Sequence, residues 1–68
     1  MSESLGTALP KEMARVRDEV LPEYLKIPTG VFVATMIRQS LNSAAKALTE
    51  GDCIAMIKCL ADLKEYKL

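Results

Sequence analysis

Several residue types that carry chemistry are missing or scarce in this sequence. Histidine and tryptophan are absent, and there are only two cysteines and one phenylalanine. Without histidine the commonest general base is missing, and a zinc site would have two thiols and carboxylates as its only ligands. Cys53 and Cys59 would lie about 240° apart around one predicted helix, so they cannot share a metal ion. We therefore expect no enzyme activity, no cofactor and no metal site.

The sequence also has no excess of positive or of negative charge. Nine Lys and Arg residues balance nine Asp and Glu residues, and no segment contains a basic cluster. Binding to a nucleic-acid backbone needs several basic residues on one surface, and binding to anionic membranes needs a similar patch. We therefore expect no membrane association and do not favour nucleic acid as a partner.

Long apolar runs are absent too, since no stretch approaches the ~18 consecutive residues of a membrane span. The first residues have neither the basic start nor the apolar run of a signal peptide. Two cysteines without such a peptide favour a reducing compartment. We expect a cytoplasmic protein.

Glycine and proline are few, three of each, and they divide the chain. Thr29 is a good N-cap, and neither residue type occurs between Gly30 and Gly51. Gly51 suits the left-handed residue that ends a helix, and Asp52 can cap the next one. The sequence therefore predicts helices over 30–50 and 53–66, joined as an antiparallel helical hairpin.

The apolar spacing supports this assignment. Val31 to Ile37 is β-branched enough to form a buried strand, but the helical period continues through Leu48 and favours a helix. Phe32 and Met36 lie off the predicted core stripe. That stripe consists of Val33, Ile37, Leu41, Ala44 and Leu48, widened by Ala34 and Ala45. In the last predicted helix, apolar residues cover more than half of the circumference, so it needs more than one neighbour.

The beginning of the chain predicts one more helix. Residues 1–9 have no evident capping partner and are expected to be flexible. Pro10 suits the first turn of a helix over 10–27, in which Arg15 and Glu19 are spaced for an ion pair. Pro22 should break this helix, because proline inside a helix removes a hydrogen bond and clashes one turn back. The predicted fold is therefore a single all-α domain.

The small size of the chain predicts a dimer. A domain of 68 residues buries only about 60% of its unfolded surface, and this one has a thin, aliphatic core. A symmetric homodimer would cover the surplus apolar surface. We expect the contact to include Phe32, Met36 and some of Ile54, Ile57 and Leu68. Arg17 and Arg38 border apolar stripes and are either stems lying along the surface or interface anchors.

Three segments resemble small helical proteins that bacterial phages and prophages carry. They are Met36 to Leu41, Glu50 to Ile57 and Leu60 to Lys64. The resemblance implies an accessory protein that binds a larger host protein, as phage inhibitors of the anti-quorum-sensing kind do. It assigns no functional residue.

These observations favour a non-enzymatic protein–protein interaction module, either an adaptor or an inhibitor. The alternative is a small dimeric nucleic-acid-binding transcriptional regulator, since dimers of short helices often bind DNA. That alternative lacks a basic recognition helix. An enzyme subunit would lack candidate catalytic residues.

Overall fold

The computed structural model describes residues 4–67, in which every regular element is helical and no strand occurs. The N-terminal helical unit consists of α1 (Leu5–Arg15), a π-helical turn (Val16–Val20) and α2 (Leu21–Leu25). A short 3-10 turn (Pro28–Gly30) leads into α3 (Val31–Glu50), which is followed by α4 (Cys53–Lys64). These residues therefore confirm the all-α class.

The first helix begins earlier than the sequence predicts. It starts at Leu5 and not at Pro10, which lies inside α1. Leu9 is completely buried and Leu5 packs against the core, so apolar burial orders residues that were expected to be flexible. Ser4 is the N-cap residue, and its carbonyl oxygen accepts hydrogen bonds from the amides of Thr7 and Ala8. The remaining residues of the predicted flexible segment, 1–3, lie outside the described part.

The π-helical turn explains how the chain passes Pro22. The amide of Leu21 donates to the Val16 carbonyl, five residues back, which marks a wider turn than that of an α-helix. Pro22 falls in the first turn of α2, where its missing amide does little harm. The α-helical pattern is thus interrupted just before Pro22. On an α-helix, residues four apart differ by about 40° in their direction around the axis. The wider turn reduces this difference between Val16 and Val20, and both are buried.

The link between α3 and α4 follows the predicted chemistry. Gly51 has the left-handed φ of 66°, and its amide donates to the Leu48 carbonyl. The Asp52 side chain accepts a hydrogen bond from the Ala55 amide at 3.1 Å. Thr29 does not cap α3, however, because it lies within the 3-10 turn and Gly30 takes the N-cap position. Gly30 is required for space, since a Cβ there would overlap the Tyr24 carbonyl.

The core lies where the N-terminal unit, α3 and α4 meet. Its buried side chains are Leu9, Val16, Val20, Ile37, Ala44, Ala47, Met56 and Leu63. Leu41, which belongs to the predicted core stripe, is only partly buried at the margin of the core, as is Leu60, and Ala45 is exposed. Ala47 is buried instead. Three buried alanines on α3, at 34, 44 and 47, leave room for the other helices to approach closely.

Candidate functional site

Five exposed apolar side chains occur where α2 leads into α3. Phe32 is 77% exposed, and the other four are about half exposed. Met36 lies one turn beyond Phe32, on the same side of α3. We call this group the α3-end patch: Leu25, Ile27, Val31, Phe32 and Met36. Exposed apolar concentrations of this kind are uncommon on monomers, and in other proteins they tend to occur at interaction sites.

The sequence segment that contains the α3-end patch, 23–36, has two charged residues, Glu23 and Lys26. The Lys26 ammonium group lies 2.8 Å from a Glu23 carboxylate oxygen, so these two neighbours neutralise each other. An open cleft of about 360 Å3 beside the patch is lined by Glu23, Tyr24, Lys26 and Ile27. Segment 23–36, which contains the patch, therefore carries no net charge that would favour a strongly acidic or basic partner.

A second exposed apolar group lies on α4. Ile54 is 68% exposed and Ile57 is 56% exposed. We call these two residues the α4 patch. They lie in the first turns of α4, directly after the link, whereas Phe32 lies at the opposite end of α3. Because the 20 residues of α3 rise about 30 Å, the two patches lie at opposite ends of a molecule 37 Å long.

Neither Arg17 nor Arg38, the two predicted arginines, belongs to either patch, and Leu68, also predicted near the contact, lies outside the described residues. Arg17 is on the π-helical turn, and its guanidinium donates two hydrogen bonds to the Asp18 carboxylate at 2.9 and 3.1 Å. These bonds raise the pKa of Arg17 and lower the pKa of Asp18. Arg38 is exposed on α3, about 200° around the axis from Met36. The structure therefore does not bring the six predicted interface residues onto one surface.

Arg15 has a role that its sequence spacing does not reveal. It pairs with Glu12 at 2.6 Å instead of Glu19. Its Nη2 atom also donates to the carbonyl oxygens of Leu63 at 3.2 Å and Tyr66 at 2.9 Å. Arg15 thus binds two carbonyls at the end of α4, where helix geometry leaves few intrahelical donors; the Leu63 carbonyl also accepts from the Tyr66 amide at 3.2 Å. No local pattern could predict this, because the acceptors are backbone atoms about fifty residues away in sequence.

Two further hydrogen bonds hold the same end of the chain. The Tyr24 hydroxyl donates to the Lys67 carbonyl at 3.1 Å, and the Ser40 and Tyr66 hydroxyls are 3.1 Å apart. Residues 63–67 therefore accept or share hydrogen bonds with α1, α2 and α3. We call this arrangement the C-terminal clamp. It orders residues 65–67 beyond the last turn of α4, which ends at Lys64 and not at the predicted residue 66.

A second open cleft, of about 490 Å3, lies between α1 and α4. Its apolar floor includes Ala8, Ala14 and Leu60. Three basic and three acidic residues surround this floor: Lys11, Arg15, Lys64, Glu12, Asp18 and Glu19. This mixture gives the cleft no preference for one sign of charge, and Arg15 is already engaged in the clamp.

The two cysteines are free thiols in different settings. Cys53 is exposed and Cys59 is partly buried. Burial raises the pKa of the Cys59 thiol, and the carboxylates of Asp62 and Asp52 raise it further. Since the thiolate is the reactive form, Cys59 is not activated as a nucleophile. Within residues 4–67, no group of three or more Cys, Asp and Glu side chains is arranged to hold a metal ion.

No protein-family model matches the chain, and no curated protein or solved structure is significantly similar to it. No helix in the described part of the chain is long and apolar enough to cross a membrane.

Proposed function

We propose that this protein is a non-enzymatic interaction module that forms a homodimer and binds a larger protein. The observation that carries this proposal is the α3-end patch, where five large apolar side chains are 49% or more exposed. Leaving so much apolar surface in water forgoes about 25 cal/mol for each Å2. A partner that covers the patch would recover this free energy.

The α4 patch supports a second contact. Because it lies at the other end of the molecule, one partner of ordinary size can cover the α3-end patch and leave Ile54 and Ile57 accessible. An adaptor or inhibitor needs such an arrangement when it is both dimeric and bound to a target. The resemblance to phage and prophage accessory proteins suggests that the target is a protein of a bacterial host.

The proposed scaffold of the α4 patch is an antiparallel hairpin of α3 and α4. The two-residue link at Gly51 and Asp52 is short enough to reverse the chain direction. The hydrogen bond between Ser40 and Tyr66 joins positions about equally far from the link on either side. Such a hairpin holds Ile54 and Ile57 in a fixed position, which reduces the entropy lost on binding.

Affinity capture tests the binding proposal. Wild-type protein and an Ile54→Glu/Ile57→Glu variant would serve as paired baits in a bacterial lysate, followed by quantitative mass spectrometry. Both residues are exposed, so the variant should keep its fold by circular dichroism. We expect a host protein that is enriched on the wild type and lost on the variant. Identical captures on both baits would contradict a role for the α4 patch.

The nucleic-acid alternative has less support. Arg15, Arg17 and Lys26 each lie beside a carboxylate, so a phosphate that approaches them also meets a nearby negative charge. A DNA-binding protein would lose affinity steeply with added salt. Retention on duplex DNA that falls steeply between low and physiological salt would favour the regulator over the module.

A further inference from the structure

We propose that the α3-end patch is the surface on which a second copy of this chain docks, with the two α3 helices crossing antiparallel about a twofold axis. This inference rests on the proposed function of a dimeric interaction module. It assigns dimerisation to Phe32, Met36 and their three apolar neighbours, and it leaves the α4 patch outside the dimer.

The available area supports a second copy as the occupant. Five side chains of this size, each half exposed or more, present on the order of 500 Å2 per chain. Two copies together would bury at most about 1,000 Å2, when all five side chains are covered on both, which is near the lower limit for a specific interface. Ile54 and Ile57 alone offer less than half of this area, so the α4 patch is too small to hold a dimer by itself.

The charge distribution supports the same occupant. A twofold interface places identical surfaces against each other, so any net charge on the patch would meet a like charge. The α3-end patch avoids this repulsion, because Lys26 and Glu23 form an ion pair. Gln39 and Ser43, the next residues along the Phe32 side of α3, are exposed and uncharged. An apolar and neutral surface of this kind is complementary to itself.

The spacing of Phe32 and Met36 defines the contact. They lie four residues apart on one side of α3. In an antiparallel crossing centred between them, Phe32 of one copy meets Met36 of the second copy, and the same contact recurs by symmetry. Methionine sulfur and an aromatic ring make a favourable pair.

Sedimentation velocity at high micromolar concentration provides the first test. We expect the wild type to be a dimer, and Phe32→Glu and Met36→Lys each to weaken dimerisation more than about tenfold. Each single substitution would place a charge opposite an apolar side chain. Because both residues are exposed, the helical content measured by circular dichroism should not change. The matched control Ile54→Glu/Ile57→Glu introduces charge on the α4 patch and should remain dimeric.

Mixing the two single variants provides the second test. In a heterodimer of the F32E and M36K chains, the new carboxylate would face the new ammonium group, while the other half of the contact keeps the native Phe32–Met36 pair. The mixture should therefore recover the dimer that neither variant forms alone. Failure of this rescue would overturn the antiparallel crossing.

The outcomes separate this inference from the function on which it rests. If the α4 control loses the dimer and F32E keeps it, the assigned surface is wrong and the protein is still a dimeric module. A wild type that stays monomeric overturns the second copy as occupant and the homodimer of the proposed function, whereas the binding of a larger protein is then tested by the capture experiment. Host-protein capture that then depends on neither patch would overturn the proposed function as well.

Discussion

At the scale of single residues, two glycines restrict the chain for different physical reasons. Gly51 has a left-handed φ of 66° with open space around its α-carbon, whereas Gly30 has an ordinary φ but touches the Tyr24 carbonyl. Gly51→Ala should therefore cost about 1 kcal/mol of unfolding free energy through backbone strain alone. Gly30→Ala should cost more, because the backbone of α2 or α3 must move.

Denaturant titration of the two alanine variants checks this order. The slope of the unfolding free energy against denaturant concentration should stay the same in both variants. The denaturant concentration at the midpoint should fall further for Gly30→Ala. Gly6→Ala is the control, since the nearest atom to a Cβ at Gly6 is 4.0 Å away and the change should be neutral or stabilising. Equal midpoints for the Gly30 and Gly51 variants would contradict the contact with Tyr24.

Arg15 and Arg17 form a second matched pair of residues. Arg15 bonds two carbonyls at the end of α4 as well as Glu12, whereas Arg17 bonds only its exposed neighbour Asp18. Arg15→Lys should destabilise by about 1–2 kcal/mol, because a lysine lacks the planar fork that reaches several acceptors. Arg17→Lys should change stability little, as exposed ion pairs contribute little.

Thermal or urea unfolding of the two lysine variants would measure this difference. Hydrogen exchange gives an independent readout, because the amides of residues 64–67 should lose protection in Arg15→Lys alone. Unchanged exchange at the end of α4 would mean that the other hydrogen bonds suffice to hold it.

At the scale of elements, the π-helical turn determines how much Pro22 lowers the free energy of unfolding. Proline in a regular helix costs about 3 kcal/mol, but the wider turn over Val16–Val20 and the early position in α2 remove most of this penalty. Pro22→Ala should therefore alter stability by less than about 1 kcal/mol. Gln39→Pro is the contrasting control, since it places proline at an exposed site within the regular helix α3.

The urea concentration at the unfolding midpoint should fall strongly for Gln39→Pro and hardly change for Pro22→Ala. A gain of several kcal/mol on removing Pro22 would instead show that the proline strains the N-terminal unit.

At the scale of the whole molecule, stability depends on the residues where all three helical units meet. Leu63 is completely buried among them, while Leu41 is partly buried at the margin. Leu63→Ala should cost about 2–5 kcal/mol, which is a large part of the total for a domain of this size. Leu41→Ala should cost clearly less. The denaturant midpoint and the near-ultraviolet circular dichroism signal should both fall further for Leu63→Ala. A larger loss for Leu41→Ala would contradict this description of the core.

The elements could be predicted from sequence wherever local chemistry determines them. The Gly51 turn and the Asp52 cap require only neighbouring residues, and both are present in the structure. Helix α1 starts early for a different reason, because the burial of Leu9 against distant residues outweighs the signal of Pro10. The local signal for that early start is Ser4, the N-cap residue just before Leu5.

The candidate surface could be predicted only in part. Phe32 and Met36 stood apart from the core stripe, and the structure places both in water. Leu25, Ile27 and Val31 were missed, although apolar residues on both sides of Pro28 are unusual for an exposed connection. Spacing along each helix could not show that Ile54 and Ile57 lie at the opposite end of the molecule from Phe32, because that depends on how the helices pack.

The C-terminal clamp has a consequence for the order of folding. Its hydrogen bonds join residues separated by 43, 48 and 51 positions along the chain, and contacts of such long range slow folding compared with other helical proteins. During synthesis, domains generally fold from their N-terminal end as the chain emerges. Here Arg15 and Tyr24 emerge early, but their acceptors arrive only with residues 63–67. The hydrogen bonds that Arg15 and Tyr24 donate to residues 63–67 can therefore form only after those residues have left the ribosome.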